Sequence, residues 1–230
     1  MTIKLYELCA ADDQLVFSPH CWKIRMALAH KGLVYESVPV RFSQVSKIQN
    51  GEGRLVPVLV DDNKVIEDSF AIALHLEEKY SDRPTLFGGE GGIAAARFVE
   101  SWSFTQVHPV ITRMVFMKIF HSLKPEDQAH FRITREKRFG MTLEAFAAAH
   151  ATTIGDVQNA LTPLEVMLAK QAFIGGQTPL FSDYIVFGAI QWLRVFHGEP
   201  VMKEGSKTAS WVETMLDLHG AVARKAKLAA

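Results

Sequence analysis

The chain has 230 residues, with Lys+Arg 25 balanced by Asp+Glu 25, so it carries no formal net charge; 48% of it is hydrophobic and 22% charged. Apolar content this high without a charge excess excludes intrinsic disorder. The balance also lacks the basic footprint that phosphate neutralisation requires, which excludes a dedicated nucleic-acid binder. The length suits one large domain or two smaller ones. Cys9 and Cys21 are too few for a disulfide framework. Residues 1–8 are strand-like and polar Asp12–Gln14 follow, so no secretory leader is expected. No run of about 18 apolar residues exists to cross a membrane. A cytoplasmic protein is the expectation.

In chain order, Ile3–Leu8 is a short β-prone run. Ser18-Pro19 then opens a segment with apolar Trp22, Ile24, Met26 and Ala27, and Lys31-Gly32 closes it. Ser at the N-cap, Pro at the first helical position and Gly past the end predict a helix. Tyr35–Val40 and Val56–Val60 read as strands, the latter with Pro57 near its start. Asp61–Lys64 reads as a turn, and Val65–Glu67 as a short return strand. Asp68-Ser69 begins a helix with Ile72, Leu76 and Tyr80 at helical spacing. A short helix over Ser43–Ile48 is expected in the loop between the second and third strands. Strand–helix–strand–strand–strand–helix is the order of a thioredoxin-like α/β domain, a parallel pair followed by an antiparallel hairpin.

Ser81–Pro84 and Gly88–Gly92 then form a turn-rich linker. Helical periodicity dominates beyond it. Ile93–His121 is a long amphipathic stretch with a bend expected at Pro109. Pro125–His150 and Ile154–Gln171 follow, the second interrupted at Pro163. Asp183–His197 is apolar enough to be buried, and Thr208–Leu218 is a last amphipathic helix. The division is an α/β thioredoxin-like N-terminal domain, 1–84, plus an all-α C-terminal domain, 93–230. The cleft between them is the default ligand site.

Several of these pieces fall in a familiar order. Ser18-Pro19-His20-Cys21-Trp22-Lys23-Ile24-Arg25 follows the first strand. Leu55-Val56-Pro57-Val58-Leu59 and Asp68-Ser69-Phe70-Ala71-Ile72 come next, and a helical domain completes the chain. This arrangement resembles a cytosolic glutathione S-transferase over nearly the whole length. The start of the first helix, Tyr80–Pro84, and Thr134-Arg135-Glu136 ahead of Phe173–Gly176 resemble the bacterial lignin β-etherase-like subfamily. Two positions depart from the family pattern. Leu180 stands where a Ser or Thr caps the buried helix opened with Asp183, leaving Ser182 as a substitute. Leu55 stands where a basic residue often precedes Val-Pro, with Arg54 one step further back.

The resemblance implies glutathione as co-substrate, a small hydrophobic electrophile and a homodimer. A free thiol with a pKa of about 8.5 is only slightly ionised at neutral pH. A hydroxyl donor at the positive end of a helix favours its thiolate. By spacing alone Ser18 is a helix cap; the resemblance makes it the catalytic donor to the glutathione sulfur. The resemblance also implies a cis peptide at Val56-Pro57, whose exposed backbone pairs with the cysteinyl part of glutathione. Asp68 and Ser69, otherwise a plain helix start, would bind the γ-glutamyl end. Arg54 and Lys47 are candidates for its glycine carboxylate. Tyr6 is expected to be structural, and Cys9 to lie in the core.

Cys21, near a helix N-terminus, leaves a thiol oxidoreductase open. A non-catalytic glutathione-binding protein is a third reading. Trp102, Phe104, Phe116 and Phe120 are core or substrate wall. Arg132, Arg135, Lys137 and Arg138 read as a solvated face. The histidines show no paired ligand spacing, so no metal site is expected.

Overall fold

The computed structural model describes residues 3–51, 55–198 and 201–229. Its N-terminal part is a four-stranded sheet in the order β2-β1-β3-β4, built from β1 (Ile3–Leu8), β2 (Tyr35–Val40), β3 (Val58–Asp61) and β4 (Lys64–Glu67). β1 pairs β2 in parallel and β3 antiparallel, and β3 pairs β4 antiparallel. Leu5 of β1 faces Leu59 of β3, and both are fully buried. The third strand begins two residues later than the sequence suggests. The Val56–Pro57 peptide is cis, and Pro57 has no N–H to give a ladder.

Helix α1 (Pro19–His30) is the crossover between β1 and β2 and packs against α2 (Ser69–Lys79). Its punctuation is the expected one, from the Ser18 N-cap to Gly32 at φ 64°. An ion pair holds it to the sheet. Arg25 of α1 donates to Glu7, 2.9 Å from Nη2 to Oε1, and Ser37 of β2 donates to the same carboxylate at 2.6 Å. Glu7 is fully buried, so these partners replace its water. At the far end of α1, buried Lys31 reaches Glu77 of α2 at 2.9 Å and the Tyr80 carbonyl at 3.1 Å. The loop after β2 forms 3-10 turns over Phe42–Gly51, longer than the short helix anticipated there.

The rest of the chain is helical: α3 (Glu90–Trp102), α4 (His108–Ser122), α5 (Pro125–Phe139), α6 (Leu143–Ala149), α7 (Ile154–Ala160), α8 (Thr162–Leu168), α9 (Phe181–His197) and α10 (Lys207–Ala221). Gly91 and Gly92, read from the sequence as linker, already lie in α3. Gly92 is there because of a close approach: a Cβ would sit 1.6 Å from the Phe87 carbonyl oxygen. The bend expected at Pro109 is a π-helical turn at Ser103–Val107, just before it. Proline cannot donate to the carbonyl four residues back, so the regular ladder fails over that turn. Pro163 similarly separates α7 from α8, lying in the first turn of the second.

Helix α9 is buried from Phe181 through Phe196 and packs on α1, α3 and α4. Asp183 fixes its start. Its carboxylate accepts the backbone N–H groups of Ile174 (2.7 Å), Gly175 (2.9 Å) and Leu180 (3.0 Å), and the Trp211 indole N–H (3.2 Å). Leu180 supplies no side-chain cap, and no bond from Ser182 replaces it. The acidic half of the capping box carries the junction alone. No described helix is long and apolar enough to cross a membrane.

Candidate active site

The site is assembled around the first turn of α1. Phe17 ends a short excursion from β1, pinned by its N–H to the Leu8 carbonyl at 3.2 Å, and Ser18 follows as the N-cap. The Ser18 hydroxyl oxygen accepts the Cys21 N–H at a long 3.5 Å. No acceptor for the hydroxyl proton is found among the described residues, so it is available to donate. Ser18 is 5% exposed, and that remnant opens into a cleft of about 460 Å3. Capping and donation to a ligand can therefore coexist in one side chain: one lone pair serves the helix, and the hydroxyl can still turn its proton to a ligand in the cleft.

α9 sets the height of this turn. Gly188 lies so close beneath it that a Cβ would be 2.5 Å from the Pro19 carbonyl oxygen and 3.3 Å from Lys23 Cγ. Lys23, buried on α1, extends to Glu100 of α3 at 3.3 Å. A helix of the second half thus positions the catalytic candidate of the first.

Val56, Asp68, Ser69 and Lys47 do not line the cleft. Val56 packs on the cluster formed by Cys9, Val16 and Cys21, which places the cis peptide beside α1. Asp68 is exposed and caps α2, accepting the N–H groups of Phe70 (2.9 Å) and Ala71 (3.0 Å). Its backbone takes φ 71°, a left-handed value that side chains other than glycine seldom adopt. Because Asp68 occupies two N–H groups of that turn, the donors left there are the N–H and hydroxyl of Ser69. Ser69 is buried and makes no hydrogen bond to a described residue. Lys47 is exposed on the 3-10 segment. Arg54 lies outside the described residues.

Cys21 is fully buried, and burial above all pushes its thiol up to about 12, the nearby Glu7 carboxylate adding to the effect. Cys9 is likewise buried and likewise raised to about 12. Neither sulfur has the thiolate character or the access that exchange chemistry needs. Burial of both sulfurs therefore disfavours the Cys21 route to a thiol oxidoreductase.

The cleft wall is only partly the one the sequence suggests. Phe104 and Phe116 line it; Trp102 and Phe120 do not. Phe17, Phe42, Phe131, Phe139, Phe146 and Trp192 complete the aromatic lining, drawn from the loop before α1, the 3-10 segment, α5, α6 and α9. No local sequence signal could have joined them. His20 was overlooked although it sits two residues from Ser18. It stacks on His108 of α4, with ring centroids 5.5 Å apart and planes 10° apart. Burial holds His20 well below its ordinary range and His108 down to about 4, so both rings are neutral near pH 7. The basic run of α5 also divides. Arg132 is an ordinary surface partner of Glu136 (2.8 Å) and Glu144 (2.7 Å), whereas Arg135 and Arg138 line the cleft.

Known proteins resemble this chain in sequence and in fold. The family "Glutathione S-transferase, N-terminal domain" matches residues 14–84, and "Glutathione S-transferase, C-terminal domain" matches residues 94–216. Among curated proteins, glutathione S-transferase Z1 of Arabidopsis thaliana is 42% identical over 69 residues, and a zeta-class glutathione S-transferase of Euphorbia esula is 43% identical over 70. Each match covers 28% of this chain and 31% of the relative, so the likeness spans less than a third of their length. The crystal structure of glutathione transferase GSTFuA3 from Phanerochaete chrysosporium superposes with a TM-score of 0.80 at 25% identity, over 94% of this chain and 96% of that one. A glutathione S-transferase of Ceriporiopsis subvermispora, solved in complex with glutathione, gives 0.79 at 21% identity, over 100% of this chain and 99% of that one.

Proposed function

Because the chain belongs to the glutathione S-transferase family, we propose that it is a glutathione transferase in which Ser18 stabilises the thiolate that attacks a hydrophobic electrophile. One observation carries this reading. The Ser18 hydroxyl, with its proton uncommitted, stands at the N-terminus of α1 and opens on an aromatic cleft. A donor there, with the helix N-terminus behind it, lowers the cost of negative charge on a bound sulfur. The sulfur then attacks an electrophilic carbon. A C–S bond forms while the bond to a halide or aryl ether oxygen breaks, and the leaving group departs with the electron pair. Displacement of an aryl ether oxygen is the finer form of the proposal, in keeping with the subfamily resemblance of the sequence.

Glutathione is the co-substrate in this reading. Val56, presented by the cis bond to Pro57, offers backbone pairing to its cysteinyl part, as an added strand would. Ser69, with its free hydroxyl and N–H, takes the γ-glutamyl carboxylate, and the Asp68 carboxylate faces the ammonium. Arg54 remains the proposed partner of the glycine carboxylate. Residues 1–84 form the glutathione-binding domain, and 93–230 the domain that supplies the electrophile wall. The family relation supports a cytoplasmic homodimer, which light scattering on the purified protein would test.

The deciding experiment is turnover with glutathione against an aryl halide, a β-aryl ether and a mixed disulfide. Turnover of either of the first two, lost in Ser18→Ala, is expected. Turnover of the disulfide alone would overturn the proposal.

A further inference from the structure

The cleft beside Ser18 is lined by aromatic rings, yet among the described residues the charged side chains on its wall are Arg113, Arg135 and Arg138, with no carboxylate. Cations at a protein surface are ordinarily balanced, as Arg132 is by Glu136 and Glu144 on the same helix. These three have no ion pair with a described residue. Arg135 is the most enclosed. Its guanidinium lies 4.8 Å from the Phe131 ring centroid and 5.6 Å from that of Phe42, and its one hydrogen bond is to Thr134 Oγ1 at 3.1 Å. Burial and the Arg138 cation both push its pKa down, the opposite of what an acidic partner would do. Guanidinium nevertheless stays charged in proteins, and its fork suits a planar oxyanion.

The remaining polar rings in the cleft do not neutralise this charge. His20 and His108 are uncharged, and His108 Nδ1 faces the Ser103 carbonyl at 3.2 Å. The cleft is therefore an aromatic slot with Ser18 in one wall and an unbalanced cationic wall formed by α4 and α5. Phe42 touches both sides, lying 6.3 Å from the Phe17 ring next to Ser18 and stacked beneath Arg135.

We propose that the electrophile is an aromatic anion, its ring held in this slot beside Ser18 and its carboxylate or sulfonate bound by Arg135, with Arg113 and Arg138 adding attraction at the rim. This deepens the transferase reading and rests on it for the reaction, though not for the binding. Arg135 has no ion-pair partner among the described residues, so a ligand anion meets a donor already partly desolvated by the Phe42 and Phe131 faces.

The test pairs a neutral with an anionic substrate: 1-chloro-2,4-dinitrobenzene and 4-chloro-3,5-dinitrobenzoate, each rate divided by its uncatalysed reaction with glutathione. The expected result is a kcat/KM at least about tenfold higher for the benzoate. Arg135→Met should shrink that ratio mainly through KM, and Arg135→Lys should restore part of it. A parallel titration without glutathione compares 3,5-dinitrobenzoate with 1,3-dinitrobenzene by quenching of tryptophan fluorescence. Tighter binding of the benzoate, weakened in Arg135→Met, supports the inference even if neither electrophile turns over; if the β-aryl ether also fails to turn over, that outcome overturns the transferase reading alone. Turnover of both electrophiles at equal efficiency, or a ratio that Arg135→Met leaves unchanged, overturns the inference alone.

Discussion

Ser18 shows how one residue type at one position answers two demands. Its oxygen accepts the Cys21 N–H, and its proton remains for the cleft. Ser18→Ala is expected to lower kcat/KM with an aryl halide by about a hundredfold and to raise the thiol pKa of bound glutathione toward about 8.5. Ultraviolet thiolate absorbance across a pH titration measures the second effect. An unchanged thiol pKa would assign Ser18 to capping only, with a stability loss of about 1 kcal/mol. Cys21→Ala should leave transferase turnover essentially as it was, because that sulfur is sealed among Cys9, Val16 and Val56; loss of turnover with an intact fold would restore a role for it.

At the scale of elements, α9 is the part on which the site depends most. Its Asp183 gathers four N–H donors from the preceding loop and from Trp211 of α10. Asp183→Ala leaves the buried Trp211 indole N–H and three part-buried backbone N–H groups unpaired, so a loss of about 3 kcal/mol is expected in urea unfolding. A loss below about 1 kcal/mol would mean that water or a shifted loop replaces the carboxylate. Gly188→Ala tests the contact with α1. The new methyl meets the Pro19 carbonyl at 2.5 Å, so α1 must move or α9 must tilt. Overpacking of this kind costs roughly 1–3 kcal/mol, and kcat should fall further than stability alone explains, because Ser18 rides on the displaced turn. Full activity in a destabilised Gly188→Ala protein would show that the turn tolerates the shift.

At the scale of the molecule, half-buried histidines join the two halves. His30 at the end of α1 meets the Tyr184 hydroxyl of α9 at 2.5 Å, and that hydroxyl meets His219 Nε2 at 2.8 Å. Burial, first of all, lowers His30 to about 4 and holds His219 down as well. Across the cleft, His20 and His108 are lowered by the same cause. A folded pKa below the unfolded value near 6.5 means that the fold prefers the neutral ring. Their contribution is complete above about pH 6.5 and is lost as pH falls from there toward 4. The urea midpoint should therefore drop between pH 7.5 and pH 5, before most carboxylates titrate. An unchanged midpoint over that interval would mean that these rings protonate without opening the interface.

Local signals in the sequence determined most of the elements and their order along the chain. Ser18-Pro19, Gly32 and Asp68-Ser69 act through backbone groups within a turn, and Ile72, Leu76 and Tyr80 repeat at the helical period, so neighbours in sequence suffice to read them. They also placed Ser18 at the start of α1, because a cap is a local bond. Tertiary structure decided what faces that start. The glycines at 91 and 92 look like linker until Phe87 is seen folded back on them. Arg135 and Arg138 look like a solvated face until α5 is packed against the 3-10 segment. Trp192 reaches the cleft from a helix far along the chain from those of Phe139 and Phe146. A pocket is formed by side chains that meet across several elements, and no spacing along one chain encodes which faces will meet. The neutral overall charge of the chain likewise conceals a local imbalance, an aromatic cleft whose charged groups among the described residues are all cationic.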